Sequence, residues 1–191
     1  KKISYEDLVK PEYKGKVCTR SGFHPYNVSL FSGLIAHHGE EWFEDYIVKL
    51  KANLARKPQG NDRDQIKAIY AGVCDLSIGN HYYYFKMMDD PNQKVWLEKV
   101  SPIFPNQDSY GSHVNISGIA IINDKNYEAS LDFLEFLLSD DAQEIYANDN
   151  NEFPVNPNVS ASERVQALAN NAKFDPIDLQ EIASNRKAVL D

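Results

Sequence analysis

Short runs rich in Val, Ile and Cys alternate with longer stretches of helical periodicity, and this order constrains the fold more than any other feature. Strands separated by crossovers of that length lie parallel in one sheet, so the expected fold class is α/β with a mostly parallel sheet. Lys16 to Thr19 reads as the first strand, and Ser21-Gly22-Phe23-His24-Pro25 as a turn. Tyr26 to His38 then places Val28, Phe31, Leu34 and Ile35 on one helical face and stops at Gly39, with Pro25 suited to the first turn. A second helix, Glu40 to Asn53, carries Trp42, Phe43, Tyr46, Ile47 and Leu50 at core spacing. After the turn Lys57 to Asn61, Asp62 to Ala71 is amphipathic, Gly72 stops it, and Val73 to Ile78 reads as a strand that runs out at Gly79-Asn80. Further on, the pattern predicts a short helix and strand over Trp96 to Phe104 and a buried strand over Val114 to Ile122. Helices are expected over Asn126 to Leu138, over Ser139 to Ala147 and, beyond Pro154, Pro157 and Pro176, over Leu179 to Leu190.

The balance of 20 basic against 28 acidic residues leaves a formal net charge of -8, which repels nucleic-acid phosphates and anionic lipid. Neither is an expected partner. No apolar run approaches the roughly 20 residues of a membrane helix, and Lys1-Lys2-Ile3-Ser4 lacks the apolar core of a signal peptide, so a soluble chain is expected. His-Glu-x-x-His, Cys-x-x-Cys, Walker A and Gly-x-Ser-x-Gly patterns do not occur, which argues against zinc hydrolysis, nucleotide binding and serine catalysis; an enzyme is not expected. Cys18 and Cys74 each fall in a strand-like run. Two buried thiols and a disulfide are both open readings, and an oxidising compartment favours the bridge.

Tyrosine occurs 11 times, but only Tyr82-Tyr83-Tyr84 is concentrated where a strand hands its chain on. In open parallel sheets chemistry gathers at the carboxyl ends of strands, and the Ser21-Gly22 turn shares that position. Packing is the plain reading of such rings. The functional one is metal ligation by phenolate, because a hard trivalent cation such as Fe(III) prefers anionic oxygen donors. A phenol loses its proton near pH 10, so the metal itself has to displace it, and binding weakens in acid. Three phenolates cancel the charge of one Fe(III) and allow the complex to be partly buried. Arg20 is either a surface cation or one placed to favour ionised phenols or hold a small anion. His37 and His38 read as capping residues before Gly39, His81 as facing away from the tyrosines, and His113 as a strand start.

Four stretches together resemble a known family: Gly15-Lys16-Val17-Cys18-Thr19-Arg20-Ser21-Gly22; His24-Pro25-Tyr26-Asn27-Val28-Ser29-Leu30; Lys51 to Arg63; and Cys74-Asp75-Leu76-Ser77-Ile78-Gly79-Asn80-His81-Tyr82-Tyr83. They are similar to the periplasmic ferric-iron-binding proteins, particularly the tyrosine-rich cyanobacterial type, across this whole chain but only the later part of the family's sequence. The resemblance implies the type II periplasmic binding protein fold, mostly its C-terminal lobe with part of the N-terminal lobe. It implies residues 1–112 as the main part of the C-terminal lobe, 113–157 packing with the other lobe, and 158–191 returning. It implies Tyr26, Tyr82 and Tyr83 as Fe(III) ligands, with Tyr84 packing or standing behind the ligands, and Arg20, Ser21, Gly22 and Asn80 beside the metal or holding an anion such as carbonate or phosphate. It further implies an exported periplasmic monomer that serves the membrane permease of an iron ABC transporter, with any ligands from the first lobe outside these residues. Two rivals remain: a lobe that cages an organic, polyamine-like cation by cation-π attraction, and a metal-free interaction module on the same fold.

Overall fold

Val17–Cys18 (β1) and Leu76–Ser77 (β2) pair in parallel, Val17 opposite Leu76 and Cys18 opposite Ser77, in a computed structural model that describes residues 2–122 and 125–191. Val17 also makes a parallel bridge to Leu54. The sheet is therefore much smaller than the alternating pattern suggests. Its direction is what matters: parallel strands leave the sheet on the same edge, so the helices that follow them start side by side.

α1 (Pro25–His38) follows β1. His24 caps it, accepting the Tyr26 N–H on Nδ1 at 3.3 Å, Pro25 holds its first position, and Gly39 ends it at a φ of 85°. α2 (Glu40–Asn53) begins at once, and α3 (Asp62–Tyr70) opens on a capping box in which the Asn61 side chain accepts the Asp64 N–H and Asp64 accepts the Asn61 N–H. α4 (His81–Asp89) follows β2, so the tyrosine run lies in the first turn of a helix and not in a loop. Two 3-10 turns, Glu6–Val9 and Pro11–Tyr13, precede β1 and are tied to α2 by Asn53, whose Nδ2 donates to the carbonyls of Leu8 and Lys10 at 2.9 and 2.8 Å.

The described residues fall into two compact units, one of 2–115 with 171–191 and one within 116–170. The core of the first is Leu8, Val17, Leu30, Phe31, Leu34, Ile35, Phe43, Tyr46 and Leu50, contributed mainly by α1 and α2. Each aliphatic side chain buried there is worth about 1.5–3 kcal/mol, and the one polar atom brought in, the Tyr46 hydroxyl, donates to the Tyr5 carbonyl at 2.9 Å. On the other side of the strands Cys18 and Cys74 form a disulfide that packs with Ala68. Cys74 lies just before β2, not within it. Residues 171–191 rejoin this unit through a parallel bridge between Ser112 and Phe174 and bring α8 (Leu179–Ser184) and α9 (Arg186–Leu190) against α1. The single terminal helix expected from the sequence is thus broken at Asn185.

The second unit holds α5 (Tyr127–Leu138), α6 (Asp140–Asn148) and α7 (Glu163–Leu168), with Ser139 capping α6. Two expectations fail here and just before. Val114 to Ile122 is not a buried strand: among the described residues it pairs with nothing, and Ile116, Ile119 and Ile122 are exposed. Trp96 to Phe104 has a 3-10 turn, Lys94–Lys99, and no strand after it. A strand needs a hydrogen-bonding neighbour, and apolar alternation alone supplies none. Among the described residues no helix is long and apolar enough to cross a membrane.

Candidate metal centre

Tyr26 is the second residue of α1, and Tyr82 and Tyr83 are the second and third of α4. Because β1 and β2 are parallel, these two helix starts meet at one edge. The Tyr26 and Tyr82 hydroxyl oxygens lie 3.0 Å apart, the Tyr83 hydroxyl hydrogen-bonds within the same group, and the Tyr82 and Tyr83 ring centroids are 4.5 Å apart. All three side chains are half-buried. Burial, and then the hydrogen bond to Tyr26, push the Tyr82 phenol well above its usual range; burial also raises Tyr83. Both phenols are protonated at neutral pH. Tyr84 packs edge-on against Phe85 at 5.7 Å.

Cations surround the rings. The Arg20 guanidinium sits 5.1 Å from the centre of the Tyr26 ring and Arg63 lies 5.2 Å from that of Tyr83. Arg20 is not a surface residue. Its side chain is 13% exposed and pairs with Asp62, whose carboxylate is 2% exposed and also accepts the Asn80 backbone N–H at 3.0 Å. Asp62 thus ties the segment leaving β1 to the segment leaving β2. Gly79 makes room for it: a side chain there would approach the Asp62 carboxylate to 3.1 Å.

Of the four residues expected beside the metal or holding an anion, Arg20, Ser21 and Asn80 have partners within the chain. Arg20 is taken by Asp62. Asn80 gives its backbone N–H to Asp62 and its side-chain N–H to the Tyr82 oxygen at 3.3 Å. Ser21 turns its hydroxyl back to the Phe23 N–H at 3.3 Å, and Gly22 belongs to the same turn. That turn is pinned by buried Asn27, whose Nδ2 faces Thr19 Oγ1 and the carbonyls of Arg20 and Ser21 at 3.0 to 3.2 Å. Asp62, Asn27 and Arg63 carry no signal in the sequence that sets them apart from ordinary helix-start and surface residues.

The histidines are placed differently from their expected roles. His37 Nε2 meets Asp175 at 2.7 Å and stacks on Tyr110, and His38 Nε2 meets Glu6 at 2.9 Å and stacks on Trp42. His81 has the ring centroids of its neighbour Tyr82 and of Phe104 each at 6.0 Å. His113 bonds Ser29 rather than opening a strand. Among the described residues no group of three or more His, Cys, Asp or Glu could hold a metal ion.

A small sheet with helix starts and convergent polar groups at its strand ends is the arrangement of a ligand-binding α/β lobe. The sequence matches the bacterial extracellular solute-binding proteins over residues 2–185, and the chain belongs to that family. Its fold is the type II periplasmic binding protein fold, over the part of it that the chain spans. Iron uptake protein A2 of Synechocystis sp. is 42% identical over 184 residues, which are 94% of this chain and 53% of that protein. The crystal structure of apo ferric ion-binding protein A of Pasteurella haemolytica superimposes with a TM-score of 0.94 at 48% identity, covering 99% of this chain and 59% of that one. A Trichodesmium protein solved in complex with iron and citrate ligands superimposes at 0.89 with 36% identity. The chain spans about half the length of the curated relatives it matches.

Proposed function

We propose that this chain supplies three phenolate ligands, Tyr26, Tyr82 and Tyr83, to a ferric ion that a periplasmic solute-binding protein carries to the permease of an ABC transporter, and that it catalyses no reaction. The observation that carries this reading is the spacing of the oxygens. For a small hard cation with metal-oxygen bonds of about 2.0–2.1 Å in octahedral geometry, neighbouring ligand oxygens lie about 2.9 Å apart. The Tyr26 and Tyr82 oxygens already stand at 3.0 Å. Three phenolates balance the charge of Fe(III), and Arg20 and Arg63 lie over two of the rings. The relatives named for iron uptake and ferric binding support the same cargo.

The same guanidinium groups weigh against an aromatic cage for an organic cation, because they already occupy faces of two of the rings that such a guest would need. The internal carboxylate of Asp62, which occupies Arg20 and the Asn80 N–H, favours binding without an external anion. Residues 116–170 leave Phe133, Phe136 and Ile145 exposed as well as Ile116, Ile119 and Ile122. With a chain that spans 59% of the Pasteurella structure, that surface supports packing against a lobe built from other residues.

Titration of the metal-free protein with ferric nitrilotriacetate is the test. A visible phenolate-to-iron charge-transfer band is expected with one equivalent, and Tyr82→Phe and Tyr83→Phe are each expected to weaken binding and shift or remove it. Affinity should fall as pH drops, since each phenol exchanges a proton for the metal. A colourless protein, or a band unchanged in both variants, rejects the assignment.

A further inference from the structure

Tyr82 is joined to α1 by a second route, a line of hydrogen bonds that runs through Asn80. Asn80 Nδ2 faces the Tyr82 oxygen at 3.3 Å, and Asn80 Oδ1 accepts from Asn115 Nδ2 at 3.0 Å. Asn115 Oδ1 in turn meets His113 Nε2 at 3.3 Å, and the same ring nitrogen meets Ser29 Oγ, on α1, at 2.9 Å. The imidazole is seated against α1 at Gly33, where a side chain would come to 3.2 Å from Nδ1. Burial holds His113 below the usual imidazole range, which favours a neutral ring, and the tautomer with its proton on Nε2 is the one that serves the Asn115 oxygen.

The direction of this line decides what Tyr82 meets. An isolated asparagine can present either end of its amide, and the two ends have opposite consequences for a phenolate. The NH2 group donates to it, whereas the carbonyl oxygen repels it. Asn115 removes the choice: its own oxygen faces His113, so its NH2 faces Asn80, and the Asn80 oxygen is turned to receive it. The Asn80 NH2 is then left for Tyr82. Asn115 is also the last residue of the first unit before the chain enters 116–170.

We propose that Asn115, oriented by His113, is a positioning residue that fixes the Asn80 amide with its NH2 group toward the Tyr82 oxygen and so holds Tyr82 as a hydrogen-bonded iron ligand; this rests on the phenolate reading above. A donor to a ligand atom orients it and tunes the metal, and losing such a partner typically costs about 10–100-fold in metal affinity. The discriminating variant is Asn115→Asp, which keeps the shape but can only accept. It draws the Asn80 NH2 to itself and turns the Asn80 oxygen onto Tyr82.

The experiment compares the full-length protein with Asn115→Asp, both shown to be folded by circular dichroism, in competition with nitrilotriacetate for Fe(III) and by visible spectrum. Expected are at least about tenfold weaker binding and a charge-transfer band moved to longer wavelength, because a phenolate without its donor gives up electron density more readily. An Asn115 that merely holds the fold would leave the band where it is. A folded variant with unchanged band and affinity overturns the proposal while leaving the tyrosine ligands standing. Absence of any band in the unaltered protein removes both. Should Asn115→Asp not fold, the 15N-labelled unaltered protein is loaded with Ga(III), a diamagnetic ion of the same charge. A downfield shift of one Asn80 side-chain amide proton is expected, and an unshifted signal overturns the proposal.

Discussion

Replacing Asp62 by alanine isolates the part of the structure that joins the two strand ends. The carboxylate is 2% exposed and compensates Arg20, whose side chain is 13% exposed. Removing one partner of a buried ion pair costs about 3–5 kcal/mol, because the other charge is left unpaired; the small solvent contact of Arg20 places this case near 3. The Asn80 N–H, which donates to the same carboxylate at 3.0 Å, loses its acceptor and adds about 1 kcal/mol. A loss of about 4 kcal/mol lowers the thermal midpoint of a chain this size by about 8–16 °C. Urea unfolding followed by circular dichroism measures it, with a second variant that carries Arg20→Met as well. Removing the orphaned charge should restore at least half of the loss. A decrease below about 1 kcal/mol, or a double variant no more stable than Asp62→Ala, would refute the argument that a buried pair braces the phenol cluster.

The Cys18–Cys74 bridge closes a loop with a sequence separation of 56, for which the chain-entropy argument gives about 4 kcal/mol. The double variant Cys18→Ala, Cys74→Ala is expected to shift the urea midpoint accordingly, and an unchanged midpoint would contradict the entropic account. Glu6 predicts an acid sensitivity. Burial raises its carboxyl, but hydrogen bonds from Tyr110, its own backbone, His38 and Asn106 outweigh this and hold it at about 2, against 4.5 when free. The stabilisation is complete above the free value and is lost as pH falls toward the folded one. With the side chain 27% exposed, the loss between pH 6 and pH 3 is about 1–2 kcal/mol. Stability measured at both values should fall by that much more in the unaltered protein than in Glu6→Gln; equal falls would sink the assignment.

Helices set by local pattern were legible almost to the residue. Glu40–Asn53 coincides with its expected bounds because the apolar spacing and Gly39 mark both its face and its start. Asp62–Tyr70 starts where the amphipathic stretch starts and ends one residue before the expected bound, just ahead of Gly72. The convergence of Tyr26 with Tyr82 and Tyr83 could be anticipated only as far as parallel strands imply a shared edge, since the distance between oxygens depends on how α1 and α4 pack. Asp62 was invisible, because a first-turn acid has ample local reason to stand there and its pairing with Arg20 spans 42 residues. Asn115 was invisible for the same reason, its partner Asn80 being 35 residues away. The strand expected over Val114 to Ile122 misled because alternation reports what a segment can bury, not whether a neighbour is present to pair with it.

Crystals of the iron-loaded protein, with an anomalous difference map collected at the iron absorption edge, would test the ligand cluster most directly. A single strong peak about 2 Å from the hydroxyl oxygens of Tyr26, Tyr82 and Tyr83 together is the expected result. A peak elsewhere, with those three oxygens carrying no metal, would contradict it.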